Sequence, residues 1–110
     1  NYNVVLCERG IRTFETATRN TLDVSAVAVV KERSSLPIII DPSHAAGKSR
    51  YIESLSLAGI AAGADGLIIE VHPNPKVAMS DAAQQLTIPE YQALVKKVRA
   101  VAGAVGRSLT

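Results

Sequence analysis

One imidazole and two carboxylates, His44, Glu70 and Asp81, follow or interrupt short apolar runs of this chain. Their mixed nitrogen and oxygen donors suit Mn, Fe, Co or Zn. Glu70 closes the apolar run Leu67-Ile68-Ile69, where a carboxylate is costly to bury unless it is paired or bound to a metal. The spacings of 26 and 11 residues match no generic metal signature, so the same three residues also read as loop-capping and hydrogen-bonding groups. Arg9 and Arg12 are two cations close in sequence. Arginine holds phosphate or carboxylate through parallel hydrogen bonds; ordinary surface charge is the alternative for either one. Cys7 reads as a reactive thiol or as a small buried apolar residue. His72 reads as a ligand or acid/base group, or as a hydrogen-bonded structural histidine. Gly47-Lys48-Ser49 has the end of a phosphate loop, but Pro42 stands where that motif needs glycine, which excludes a nucleoside triphosphate site.

Positioning these groups falls to three strand-then-helix units. The first is a strand over Asn3 to Glu8, a polar loop over Arg9 to Asn20, and a helix over Asp23 to Arg33 with Asp23 as N-cap and Val24, Val27 and Ala28 at helical spacing. The second strand is Pro37 to Ser43, and its Ile38-Ile39-Ile40 body is apolar on both faces, as in a covered parallel strand. A small-residue loop over Pro42 to Lys48 leads to a helix from Ser49 to Gly63, with Ile52, Leu55, Gly59 and Ala62 on one face. The third strand is Gly66 to His72, on which alternation points Glu70 and His72 the same way. After a long loop, Thr87-Ile88-Pro89-Glu90 has capping-box spacing and opens a helix that buries Tyr91, Leu94, Val95, Val98 and Ala102. Gly103 and Gly106 weaken its end.

Strands about 30 residues apart, each followed by a helix, imply a parallel α/β fold with right-handed crossovers. In such folds functional groups gather at the C-terminal ends of strands. All three predicted strand ends are chemically loaded: Glu8-Arg9, Asp41 to His44, and Glu70 to His72. Three units leave an open sheet, since a closed (β/α)8 barrel takes about 250 residues and this chain has 110.

Composition is that of an ordinary globular domain, 47% hydrophobic and 20% charged. The net charge of +2 is dispersed, with no basic stripe, so nothing supports nucleic-acid binding. The longest apolar run, Leu36 to Ile40, is far short of the ~20 residues of a membrane span. One cysteine excludes an internal disulfide and points to the cytoplasm. The chain opens on Asn1 rather than Met, which hints at a fragment or a processed chain.

Taken together, the motifs resemble one family. Leu6-Cys7-Glu8-Arg9-Gly10-Ile11-Arg12-Thr13-Phe14-Glu15 resembles the C-E-R-G-I-R-T-F-E segment of 3-deoxy-D-arabino-heptulosonate-7-phosphate (DAHP) synthases of the type I, β subclass. Asp41-Pro42-Ser43-His44 resembles that family's D-P-S-H. Glu70-Val71-His72-Pro73-Asn74-Pro75 with Ser80-Asp81 resembles its E-V-H-P-x-P…S-D-G, and Gly63-Ala64-Asp65-Gly66 also fits. The resemblance covers nearly the whole chain. It implies units six to eight of a (β/α)8 TIM barrel, with residues 1–110 the C-terminal part of one barrel domain and the first five units absent.

The activity it implies is condensation of phosphoenolpyruvate with erythrose 4-phosphate, the first step of the shikimate pathway of aromatic amino acid and chorismate biosynthesis. It makes His44, Glu70 and Asp81 ligands of a divalent metal, Mn first, with Fe, Co or Zn as alternatives. It makes His44 and Arg9 catalytic, with Arg9 holding phosphoenolpyruvate. Arg12 matches the motif and is assigned to substrate binding, or to orienting Glu8. The family's cysteine ligand lies in the absent units, and Cys7 is not that residue. Ala82 stands where the family has glycine, and Ala28 where proline is common.

The related KDO-8-phosphate synthases share the barrel and the E-V-H-P segment and are the nearest alternative activity. An inactive fragment, or one half of a complementing barrel, is a second alternative. A small open α/β binding domain is a third. A homo-oligomer or association with the missing half-barrel is expected, with no nucleic acid and no membrane as partner.

Overall fold

A computed structural model describes residues 1–77 and 82–110. Its elements run β1 (Leu6–Glu8), α1 (Ser25–Arg33), β2 (Ile38–Ile40), α2 (Pro42–Ala46), α3 (Ile52–Ala61), β3 (Gly66–Leu67) and α4 (Ile88–Ala104). Single 3-10 turns occupy Ser49–Tyr51, Pro75–Val77 and Ala82–Gln84. The strands form one parallel sheet in the order β1-β2-β3, with Leu6 opposite Ile38, Glu8 opposite Ile40, and Ile40 opposite Leu67. The expected parallel α/β fold is therefore the observed one.

The strands are shorter than expected, and for β2 the reason is local. Past Ile40 the chain turns at once into α2, because Asp41 caps it by accepting the His44 N–H at 3.0 Å and Pro42 fits its first turn. The region Pro42 to Lys48, expected to be a loop, is thus largely helical. Gly47 ends α2 at φ 70°, where a side chain would be strained. Asp23 does not cap α1: its N-cap is Val24, with no side-chain hydrogen bond, and Ala28 is exposed while Val27 is buried. The expected long helix after Lys48 begins as a 3-10 turn and buries Ile52, Ser56, Gly59 and Ile60, with Leu55 and Ala62 half-buried. The Ser56 hydroxyl donates to the Ile52 carbonyl at 2.6 Å, which lets a polar side chain enter that face. The capping box is complete: Thr87 Oγ1 accepts from the Glu90 N–H, and Glu90 Oε1 accepts from the Thr87 N–H at 2.8 Å.

The core lies on both faces of the sheet. Val27, Ile38, Ile40 and Ala64 bury one group of contacts; Ala46, Ile52, Ile60, Leu86, Leu94, Val98 and Ala102 bury the other, and Leu67 packs against both. Leu94, Val98 and Ala102 are buried as expected of α4, whereas Val95 is half-buried and Tyr91 exposed. Both line a groove of about 510 Å³ between β3 and α4, beside the unpaired edge of the sheet.

Asp65, just before β3, ties the opposite end of the sheet together. It accepts from Lys31 Nζ at 2.6 Å, from Arg107 Nη2 at 2.9 Å and from the Ile38 N–H at 2.9 Å. Burial raises its pKa, but the hydrogen bonds from Lys31, Ile38 and Arg107 outweigh it and take the group from 3.8 to about 2. A carboxyl depressed in the folded state stabilises above its unfolded pKa and loses that contribution as pH falls through the folded one. Asp65→Asn is therefore expected to destabilise the complete barrel by about 2 kcal/mol near neutral pH, and by roughly half that near pH 3. Denaturant unfolding at the two pH values checks this; an undiminished difference in acid contradicts it.

Candidate functional site

The C-terminal ends of the three strands meet as their parallel register requires. The Asp41 N–H donates to the Glu8 carbonyl at 2.9 Å and the Ile68 N–H to the Ile40 carbonyl at 2.8 Å, so residues just past the strands remain aligned. Glu70 is held by its backbone from two sides. Its N–H donates to Ser43 Oγ at 3.0 Å, and its carbonyl accepts from the Leu86 N–H at 3.0 Å. Arg9 follows β1 in a tight turn in which the Gly10 N–H donates to Glu8 Oε1 at 2.9 Å. Gly10 has φ 103°, and a Cβ there would stand 2.6 Å from Asn20 Cβ, so only glycine fits.

Four side chains form one chain of contacts: Arg9, Asp41, His44 and Glu70. Arg9 Nε donates to Asp41 Oδ2 at 3.2 Å, and the same oxygen lies 2.7 Å from His44 Nδ1. A carboxylate only accepts, so Nδ1 carries the proton in that contact. On the other side of the ring, His44 Nε2 lies 3.0 Å from Glu70 Oε1. The second Glu70 oxygen, Oε2, is buried with no hydrogen-bond partner among the described residues. Asp41 is 3% exposed, His44 and Glu70 about a quarter, and Arg9 57%. The site therefore runs from a buried anion to an open cation. Among the described residues the Arg9 guanidinium has Asp41 as its one partner, through Nε, so its Nη groups are not engaged there and the half-exposed side chain can meet an anion.

Of the residues singled out from sequence, His44, Glu70 and Arg9 come together here. Asp81 lies outside the described residues. Arg12 is exposed and joins no ion pair among the described residues, and Glu8 is taken by the Gly10 N–H rather than by Arg12. His72 Nδ1 accepts the Asn74 N–H at 2.9 Å, a local turn contact. Cys7 is exposed on the edge strand, not buried; partial burial of the sulfur and the Asp41 carboxylate push its pKa up, with Arg9 opposing, so it is no activated thiolate.

Two members of the site lie in a strand end marked from sequence but were given no role there. Asp41 touches both Arg9 and His44, and Ser43 holds the Glu70 backbone. Their signal was an Asp and a Ser within three residues of a candidate ligand, immediately past an all-isoleucine strand.

A family model described as the DAHP synthetase I family matches residues 1–104. The chain is 51% identical over 106 residues to a phospho-2-dehydro-3-deoxyheptonate aldolase of Thermotoga maritima, covering 96% of this chain and 31% of that protein. It is 32% identical over 119 residues to a 2-dehydro-3-deoxyphosphooctonate aldolase of Citrifermentans bemidjiense, covering 97% and 42%. A solved structure of a truncated form of 3-deoxy-D-arabino-heptulosonate 7-phosphate synthase from Thermotoga maritima superposes with a TM-score of 0.94 at 50% identity, over 96% of this chain and 40% of that one. The chain thus spans well under half the length of these relatives.

Proposed function

We propose that this chain, which belongs to the DAHP synthetase I family, forms the last three β/α units of a (β/α)8 barrel that condenses phosphoenolpyruvate with erythrose 4-phosphate. Greater identity to the heptonate aldolase than to the octonate aldolase supports erythrose 4-phosphate as the aldehyde, 51% against 32%. The observation that carries the reading is the approach of His44 Nε2 to Glu70 Oε1 at 3.0 Å beside a buried Glu70 Oε2 that has no hydrogen-bond partner among the described residues. The ring lies between two carboxylates, Asp41 and Glu70, and a divalent ion shared by Nε2 and Glu70 would take the place of a proton between them.

These donors fit a divalent metal, for which His44, Glu70 and Asp81 are the proposed ligands and Mn the proposed ion, over Fe, Co or Zn. When bound, the ion supplies Lewis acidity toward the aldehyde oxygen. Arg9 holds phosphoenolpyruvate through its Nη groups, and Arg12 adds a second cation for the anionic substrates. Holding the two anions together turns a bimolecular encounter into a reaction between neighbours. C3 of phosphoenolpyruvate bonds to the aldehyde carbon, water adds at C2, and phosphate leaves.

The proposed partner of the chain is the rest of the barrel, seated against the apolar groove of Leu67, Ile69, Leu94, Val95 and Val98. An open parallel edge lacks a strand to satisfy its ladder. No helix among the described residues is long and apolar enough to cross a membrane, and the cytoplasm is the proposed compartment.

Loss of phosphoenolpyruvate absorbance, with erythrose 4-phosphate and Mn²⁺, tests the reading. The chain alone is expected to give no turnover, and the chain assembled with five upstream units from the Thermotoga relative is expected to give chelator-sensitive turnover. Activity of the chain alone overturns the half-barrel assignment; an inactive, correctly assembled barrel overturns the synthase assignment.

A further inference from the structure

We propose that Asp41 is the positioning residue that locks the two functional halves of the site to one another, because a single oxygen, Oδ2, accepts from both Arg9 and His44. The inference rests on the reading of His44 as a metal ligand and Arg9 as the phosphoenolpyruvate arginine.

The geometry supplies the argument. Oδ2 stands 2.7 Å from His44 Nδ1 and 3.2 Å from Arg9 Nε. The first contact fixes the Nδ1 side of the ring and so aims Nε2 at Glu70 Oε1, 3.0 Å away. The second takes the Nε–H of the guanidinium and so orients its Nη pair. Oδ1 is occupied separately, by the His44 backbone N–H at 3.0 Å, which anchors the carboxyl plane to the start of α2. Asp41 is 3% exposed, and its own N–H is fixed to Glu8 at 2.9 Å, so the carboxylate has little room to turn. Sharing one fixed oxygen between two subsites sets their positions relative to each other: the imidazole and the guanidinium are both held to the same acceptor.

Asp41→Asn separates positioning from folding. Asparagine caps helices as well as aspartate does, so a purely structural role predicts a near-neutral change. The amide would present either a second donor to Arg9 and His44 or a weaker neutral acceptor, and a donor there favours the tautomer protonated on Nε2. In the complete barrel, D41N is expected to keep its thermal midpoint within a few degrees. Its Mn²⁺ affinity, read by titration of free Mn²⁺ with electron paramagnetic resonance, should fall about 10- to 100-fold. KM for phosphoenolpyruvate should rise at saturating Mn²⁺, while KM for erythrose 4-phosphate stays near its original value. Asp41→Ser, which also caps but reaches neither partner, should lose both affinities likewise. If the unsubstituted barrel binds Mn²⁺ and D41N binds it equally well with unchanged KM, the positioning role is overturned alone. Absence of Mn²⁺ binding by the unsubstituted barrel overturns the metal reading and this inference with it.

Discussion

His44→Ala in the complete barrel is expected to lower kcat by about a thousandfold or more and to weaken Mn²⁺ binding beyond the 10- to 100-fold of an outer-shell change. The substitution removes the imidazole nitrogen that lies 3.0 Å from Glu70 Oε1 and leaves two carboxylates, Asp41 and Glu70, without the ring between them. Loss of Lewis-acid assistance amounts to several kcal/mol in the transition state, and each 1.4 kcal/mol is about tenfold in rate. Loss of the imidazole contacts to Asp41 and Glu70 also favours the unfolded chain, so the variant must be compared at a temperature where it is folded. Glu70→Gln serves as the partner experiment: it keeps the volume, removes the charge, and should lower Mn²⁺ affinity in the same direction. Direct titration with Mn²⁺ and steady-state kinetics on both variants check this. Retention of kcat with full metal affinity in either would remove the pair from the metal centre.

Arg9→Lys should raise KM for phosphoenolpyruvate by about 10- to 100-fold, with a smaller effect on KM for the aldehyde substrate. Lysine keeps the charge but loses the planar fork, so two contacts become one. A hydrogen bond to a charged group contributes about 1.5–3 kcal/mol, which sets the range. Lysine also has no Nε–H in the place that meets Asp41 Oδ2 at 3.2 Å, so the cation is no longer held in line with the site. Because Arg9 is more than half exposed, the change should leave stability almost untouched. Initial rates across phosphoenolpyruvate concentrations, at saturating Mn²⁺ and erythrose 4-phosphate, decide it; an unchanged KM assigns Arg9 to the surface.

Much of this molecule was legible before folding. Period and turn chemistry marked three β/α units, and the Thr87–Glu90 box forms as its spacing dictates because both bonds span one helical turn. Ile38 and Ile40 are buried because an isoleucine run has no polar face to offer solvent. The motifs around Arg9, His44 and Glu70 identified the family and hence the candidate ligands.

Tertiary structure decided what lay beyond local range. β2 stops early because Asp41 and Pro42 begin a helix immediately after Ile40, a competition that hydrophobic pattern does not register. Tyr91 and Val95 satisfy the helical period of α4, yet they line an unfilled groove, since burial depends on what packs opposite and not on the period itself. Arg9, Asp41 and Glu70 are separated by 32 and 29 positions, and only the parallel register of β1, β2 and β3 brings their strand ends together. That one carboxylate oxygen serves both Arg9 and His44 is a matter of distances across two strands, and no spacing along the chain encodes it.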